Sequence, residues 1–82
     1  MRQQIPVCTD AQLKQGEAFD WVNSGKTDCE ITKCDPPLEK NHYKVPAGHT
    51  VPAKVRDDAE KKTHDYTCEC GKSKTNPKII IS

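Results

Sequence analysis

The sequence predicts a small, β-rich α+β domain, in which a short N-terminal helix or loop precedes an antiparallel meander of about four or five short strands. Three observations lead to this fold class. Apolar and polar residues alternate in short runs from residue 28 onward, prolines and glycines separate these runs, and five cysteines stand in 82 residues. A sheet sandwich, an open barrel and a helix packed on a sheet are layouts that the same pattern also allows.

The N-terminal third of the chain carries the helical signal. Thr9 or Asp10 is suited to cap a helix that ends near Val22, because alanine, glutamine, leucine, lysine and glutamate predominate between them. The apolar stripe is incomplete, and the glycine at Gly16 costs about 1 kcal/mol relative to alanine inside a helix. We therefore predict a helix or a loop for segment 9–22.

The strand signal begins at Asp28 and recurs along the rest of the chain. Alternating or β-branched runs predict strands at 29–32, 42–45, 51–55, 66–70 and 78–81. Ala47 and Gly48 predict a tight turn between the second and third of these strands. Residues 57–62 are interpreted as a charged connection and residues 71–77 as a loop.

Composition indicates one cysteine-rich domain, 1–82, in which residues 1–4 are disordered. Only 33% of the residues are hydrophobic, and the aromatic side chains are one phenylalanine, one tryptophan and two tyrosines. Such a chain buries a small core. A disulfide that closes a loop of tens of residues contributes about 2–4 kcal/mol, so covalent bridges are expected to decide whether the chain folds.

Strand parity narrows the pairing of the five cysteines. Cys68 and Cys70 lie two residues apart, so on a strand they face the same side, with their Cα atoms about 6.5–7 Å apart and too distant to pair with each other. We expect them to pair with Cys8 and Cys29 in either order. Cys34 has the opposite parity to Cys29 and precedes a Pro-Pro break, so it is predicted to be a free or intermolecular thiol.

Zinc is the main competitor of disulfides in this pattern. Cysteines and histidines are zinc ligands, but only Cys29 with Cys34, and His64 with Cys68, approach the spacing of paired zinc ligands. We therefore predict neither a metal nor any other cofactor. A zinc-binding module remains an alternative.

A small ribonuclease-like hydrolase is the enzymatic alternative. It would use a histidine with Glu60 or Glu69 as an acid–base pair, and the candidate histidines are His42, His49 and His64. Three histidines in polar surroundings are ordinary surface residues, so no catalytic residue is assigned.

The charge pattern and the absence of apolar runs restrict location and partners. A net charge of +1 argues against a nucleic-acid binder, and no run approaches the roughly 18 apolar residues of a membrane span. Cysteine content predicts a secreted, extracellular protein in its mature form. The composition resembles that of fungal effectors, antimicrobial toxins and small protease inhibitors, which carry no shared motif here.

The sequence is thus interpreted as a non-enzymatic effector or toxin that binds a protein or other macromolecular target, with a protease inhibitor as a further alternative. A homodimer through the unpaired cysteine is a second kind of assembly. The residues predicted to contact the partner lie in region 35–50 and in the lysine-containing segment near the C-terminus: His42, Tyr43, His49, Lys72, Lys74 and Lys78.

Overall fold

The computed structural model describes residues 2–82, and in that range it contains ten β-strands and no helix. The strands are β1 (Gln3–Pro6), β2 (Ala11–Leu13), β3 (Ala18–Val22), β4 (Cys29–Thr32), β5 (His42–Val45), β6 (Thr50–Lys54), β7 (Thr63–Asp65), β8 (Thr67–Cys70), β9 (Ser73–Thr75) and β10 (Lys78–Ile81). The predicted α+β class is therefore wrong, and the protein is all-β. No element of this range is a helix long and apolar enough to cross a bilayer.

Segment 9–22 forms two strands in place of the predicted helix. In β3 the side chains of Phe19 and Trp21 are both fully buried, while their neighbours are only partly buried, which is the period of two that a strand requires. Gly16 lies between β2 and β3 with a φ of +73°, and its N–H donates to the carbonyl oxygen of Arg56. Helix-forming composition is overridden here, because burying two large aromatics on one sheet face outweighs propensity.

The strands are arranged in three sheets, and the predicted meander is wrong as well. The sheet orders are β1-β3-β6, β2-β10-β7 and β5-β4-β8-β9. β1 pairs with β3, and β2 pairs with β10, in parallel, whereas a meander would contain only antiparallel neighbours. The chain leaves one sheet after β1, enters another with β2 and returns with β3, so these first three strands are not paired in chain order, whereas β4 with β5 and β8 with β9 are.

Several local predictions are confirmed. Strands β4, β5 and β10 occupy the predicted ranges. The turn at Ala47 and Gly48 is closed by a hydrogen bond from His49 N to Pro46 O, with Gly48 at a φ of +73°.

The predicted disorder of residues 1–4 falls partly on residue 1, which lies outside the described residues, whereas Gln3 and Gln4 belong to β1.

An aromatic stack forms the centre of the core. The rings of Phe19 and Trp21 are 5.1 Å apart in an edge-to-face arrangement, and the rings of Trp21 and Tyr66 are 5.3 Å apart. The Tyr66 hydroxyl donates to the Thr9 carbonyl oxygen at 2.6 Å. Aromatic pairs of this kind contribute about 0.5–1.5 kcal/mol beyond their buried area, and they join the sheet of β3 to the segment that leads into β8.

Candidate metal centre

Four cysteines from three parts of the fold meet at one end of the β4–β8 pair. Cys29 begins β4 and Cys70 ends β8, and the two residues are directly opposed in the antiparallel register. Cys68 lies two positions earlier on β8, and Cys8 follows β1. We call Cys8, Cys29, Cys68 and Cys70 the sulfur cluster.

The sulfur cluster forms two disulfides in the structure, one joining Cys8 to Cys68 and the other joining Cys29 to Cys70. The two bridges are close to each other. The Sγ atoms of Cys8 and Cys70 are 3.3 Å apart, and those of Cys68 and Cys70 are 3.9 Å apart. Sequence reasoning named the same four cysteines as bridge partners, and peptide mapping of the non-reduced chain is the chemical test of that prediction.

The sulfur atoms differ in exposure. Cys68 is fully buried and Cys29 is 3% exposed, whereas Cys8 and Cys70 are partly exposed. Each bridge thus has one sheltered sulfur and one that faces outward. Cys8 also has a φ of 63°, in the left-handed region that costs a residue with a side chain about 1–2 kcal/mol. The turn after β1 therefore keeps Cys8 in an unfavourable backbone conformation.

A groove of about 300 Å³ opens beside these sulfurs and includes Cys8, Cys29 and Cys70 in its wall. We call it the cysteine groove; the rest of its wall is formed by residues 6, 7 and 22–27. Among these residues Lys26 is the only charged one, and it forms no ion pair with a carboxylate of residues 2–82. The groove therefore has a positive rim and gives access to three of the four sulfurs.

Asn23 fixes the loop that forms one side of the cysteine groove. Its side chain is buried, its Nδ2 donates to the carbonyl oxygens of Thr27 and Val45 at 2.8 and 3.0 Å, and its Oδ1 accepts from Gly25 N at 3.0 Å. All three contacts tie the loop to itself or to β5. The sequence shows residues 23–25 only as a turn, and an asparagine two residues before a glycine is the signal that points to such a side-chain turn.

The fifth cysteine stands apart from the sulfur cluster. Cys34 is fully buried, and its Sγ donates to the carbonyl oxygen of Lys40 at 3.1 Å. Burial raises the pKa of the Cys34 thiol to about 12. A neutral, inaccessible thiol does not link two folded chains, so the structure provides no route to a dimer through Cys34.

The histidines do not assemble an acid–base pair or join the sulfur cluster. His42 is exposed, with its Nε2 at 3.0 Å from Glu30 Oε2, and His49 is exposed beyond the Gly48 turn. His64 is buried, with its Nε2 at 2.9 Å from the carbonyl oxygen of Glu60. Within residues 2–82 the one group of potential metal ligands is Cys8, Cys29 and Cys70.

The predicted partner-binding residues are distributed over separate surfaces. Lys72 and Lys74 are exposed at the β9 edge, and Lys78 on β10 pairs with Asp65. His42 and Tyr43 lie on β5, at the opposite edge of the β9 sheet, and Tyr43 is only 5% exposed. His49 occupies the β5–β6 turn. These six residues do not form one contact surface.

Comparison with known proteins identifies the fold. No family model matches the chain, and no curated protein matches it. Solved structures of amicyanin point mutants do match. A reduced Cu(I) form at pH 4 aligns with a TM-score of 0.67 and 14% identity, and a second Cu(I) form and an oxidised form align with TM-scores of 0.66 at 14% and 13% identity. Each alignment covers 99% of this chain and 82% of the amicyanin chain, so the chain has the same β-sandwich fold as amicyanin.

This fold and the sulfur cluster overturn the interpretation as an effector or toxin. That interpretation depended on composition alone, and the chain instead has the fold of a protein solved with Cu(I) and holds three cysteines whose sulfur atoms lie within 4.8 Å of one another. The assignment to toxins, effectors or virulence is therefore wrong. The predicted disulfide-containing β-sheet character is retained.

The donor set does not fit a blue-copper centre. Such centres use two histidines and one cysteine with a weak axial ligand, commonly methionine. Among residues 2–82 no histidine belongs to the ligand group, and the sulfur cluster contains cysteine alone. The fold is thus shared with amicyanin while the residues that would hold an ion are different in kind.

Proposed function

We propose that the reduced chain is a soft-metal-binding protein that takes Cu(I) through the thiolates of the sulfur cluster. The observation that supports this most directly is the convergence of Cys8, Cys29 and Cys70, whose sulfur atoms all lie within 4.8 Å of one another beside an open groove. Thiolates are soft ligands, and they select ions such as Cu(I) and Zn(II) over harder cations.

The spacing of the sulfurs suits a shared ion once the bridges are reduced. A trigonal site with metal–sulfur bonds of about 2.3 Å places its sulfurs about 4 Å apart. The Sγ atoms of Cys8 and Cys70 are already 3.3 Å apart, and those of Cys8, Cys29 and Cys70 all lie within 4.8 Å of one another. Reduction breaks the Cys29–Cys70 bond within this set and frees Cys8 from Cys68, which makes all three sulfurs available as thiolates.

Cu(I) is preferred to zinc because of the number of accessible sulfurs. Structural zinc sites are almost always four-coordinate, whereas Cys68 is fully buried and is not part of the groove wall. The three cysteines of the groove wall, Cys8, Cys29 and Cys70, form a trigonal donor set, which satisfies Cu(I).

Location and partners remain sequence predictions. In the extracellular space predicted from the cysteine content, the chain would hold both disulfides, and metal binding would require their reduction. A protein partner is compatible with this function, because a bound ion has to be delivered or received. The exposed β9 edge with Lys72 and Lys74 is the surface that we assign to such a partner.

The test is an anaerobic titration of the phosphine-reduced chain with Cu(I) held by a chromogenic chelator. We expect about one tightly bound Cu(I) per chain and a thiolate-to-metal charge-transfer band in the near ultraviolet. Cys70→Ser should weaken binding by at least about tenfold, since even residues that only support a ligand change affinity by about 10–100-fold.

Cys34→Ser is the matched control, because a serine hydroxyl retains the donor to Lys40 O while leaving the sulfur cluster intact. Its Cu(I) affinity should equal that of the parent chain. Two results contradict the proposal: a reduced, folded chain that does not compete with the chelator, or an ion that zinc displaces at equal concentration.

A further inference from the structure

The Cys29–Cys70 bridge is the more accessible of the two disulfides. Both of its cysteines belong to the wall of the cysteine groove, whereas Cys8–Cys68 contributes only Cys8. A disulfide is opened by a thiolate that attacks one sulfur while the other leaves. Cys68 is fully buried and outside the groove wall, so a thiolate leaving there would be desolvated, whereas Cys29, although only 3% exposed, would leave at the groove wall.

The cysteine groove also has a chemical preference. Its one charged wall residue is Lys26, which is exposed and forms no ion pair with a carboxylate in the described chain. Ser24 and Thr27 add hydroxyl donors to the same wall, and no wall residue is acidic. A small molecule that combines a thiolate with a carboxylate or sulfonate therefore matches the charge and the hydrogen-bond donors of the groove.

We propose that the cysteine groove is a docking and exchange site for a small anionic thiol, which opens the Cys29–Cys70 bridge at Cys70. The incoming thiolate forms a bond to Cys70 Sγ, and the Cys29–Cys70 bond breaks, so that Cys29 leaves as a thiolate and takes a proton from solvent. A second molecule of the thiol attacks the sulfur of the first, releases Cys70 as a thiolate and departs as a symmetrical disulfide. Two small thiols are oxidised and one protein bridge is reduced.

This activity belongs to the oxidised chain and does not depend on metal binding. The test uses the oxidised, metal-free chain with three thiols of similar size and graded charge: 2-mercaptoethanesulfonate, 2-mercaptoethanol and cysteamine. Opening of each bridge is followed by rapid alkylation, digestion and mass mapping, and rates are expressed per thiolate. We expect the anionic thiol to react fastest, with Cys29 and Cys70 labelled before Cys8 and Cys68.

Lys26→Gln should slow the anionic thiol about two- to fivefold, which is the size of one exposed charge pair, and leave the neutral thiol unchanged. Lys61→Gln removes the same charge from an exposed position outside the groove and should change neither rate. Equal rates for the three thiols, an equal effect of both substitutions, or first opening at Cys8–Cys68 would each overturn the proposal. The Cu(I) titration uses chemically reduced chain, so either proposal is able to fail alone.

Discussion

Replacing Asn23 with alanine tests how the cysteine groove is held. The side chain supplies two donors, to Thr27 O and Val45 O, and one acceptor for Gly25 N. Its residue is only 3% exposed, so water does not readily replace these contacts. Alanine leaves the paired carbonyls without donors, and a buried polar group that loses its partner costs about 1–3 kcal/mol.

Because the bond to Val45 O is buried and the bond to Thr27 O is partly buried, we expect a loss of about 2–4 kcal/mol in the free energy of unfolding. For a domain of this size the melting temperature should fall by roughly 10–25 °C. The measurement is urea unfolding of the oxidised chain, followed by tryptophan fluorescence, with a calorimetric scan as the second readout.

The matched control is Asn41→Ala, which removes the same amide from an exposed residue whose Oδ1 accepts one weak bond from Asp35 N at 3.4 Å. It should change stability by less than about 0.5 kcal/mol. If Asn23→Ala is no more destabilising than Asn41→Ala, the loop is not held by its asparagine, and the groove geometry derived from it is wrong.

Two further predictions concern Cys34, the thiol outside the sulfur cluster, and Gly71, the residue that follows Cys70. The folded-state pKa of Cys34 is raised from 9.0 to about 12, so the folded state keeps a proton that the unfolded state loses, and stability should fall as pH rises from 9 toward 12. Cys34→Ser should flatten the pH dependence of the urea midpoint but not abolish it, since burial raises the pKa of Tyr66 as well; an unchanged slope contradicts the argument. Gly71 has a φ of +61°, and an added Cβ would lie 3.0 Å from Thr27 Cγ2, whereas Gly48 has a φ of +73° with nothing within 4 Å. Gly71→Ala should therefore cost more than the roughly 1 kcal/mol of a left-handed alanine expected for Gly48→Ala, and equal losses of unfolding free energy would refute the contact.

The sequence was informative where one face of a strand is buried. In β4 the pattern places Cys29 and Ile31 inward, and the structure buries both. The prediction of a helix for segment 9–22 was wrong for a physical reason. Its residues favour a helix in isolation, but Phe19 and Trp21 stabilise the fold only when both lie on the same sheet face.

The pairing of strands within the sheets could not be predicted from the local pattern of apolar and polar residues. The parallel pairs β1–β3 and β2–β10 join segments whose contacts depend on the route of the chain between sheets. Nothing in the residues of β10, three isoleucines after a lysine, distinguishes a parallel neighbour from an antiparallel one. The groove was missed because Asn23 and Lys26 are ordinary loop residues until the fold places them beside Cys29 and Cys70.

The amicyanin structures with this β-sandwich fold contain copper, whereas the candidate ligands of this chain are cysteines alone. The group that can change its oxidation state is therefore different. In a histidine-containing centre the ion changes oxidation state while its ligands stay the same. In the sulfur cluster the ligands themselves have two states, because the three sulfurs that would bind Cu(I) as thiolates, those of Cys8, Cys29 and Cys70, are held in disulfide bonds when oxidised. Occupancy by metal and oxidation of the cysteines therefore exclude each other, so the oxidised chain should bind no Cu(I), and a Cu(I)-loaded chain should resist oxidation of Cys29 and Cys70.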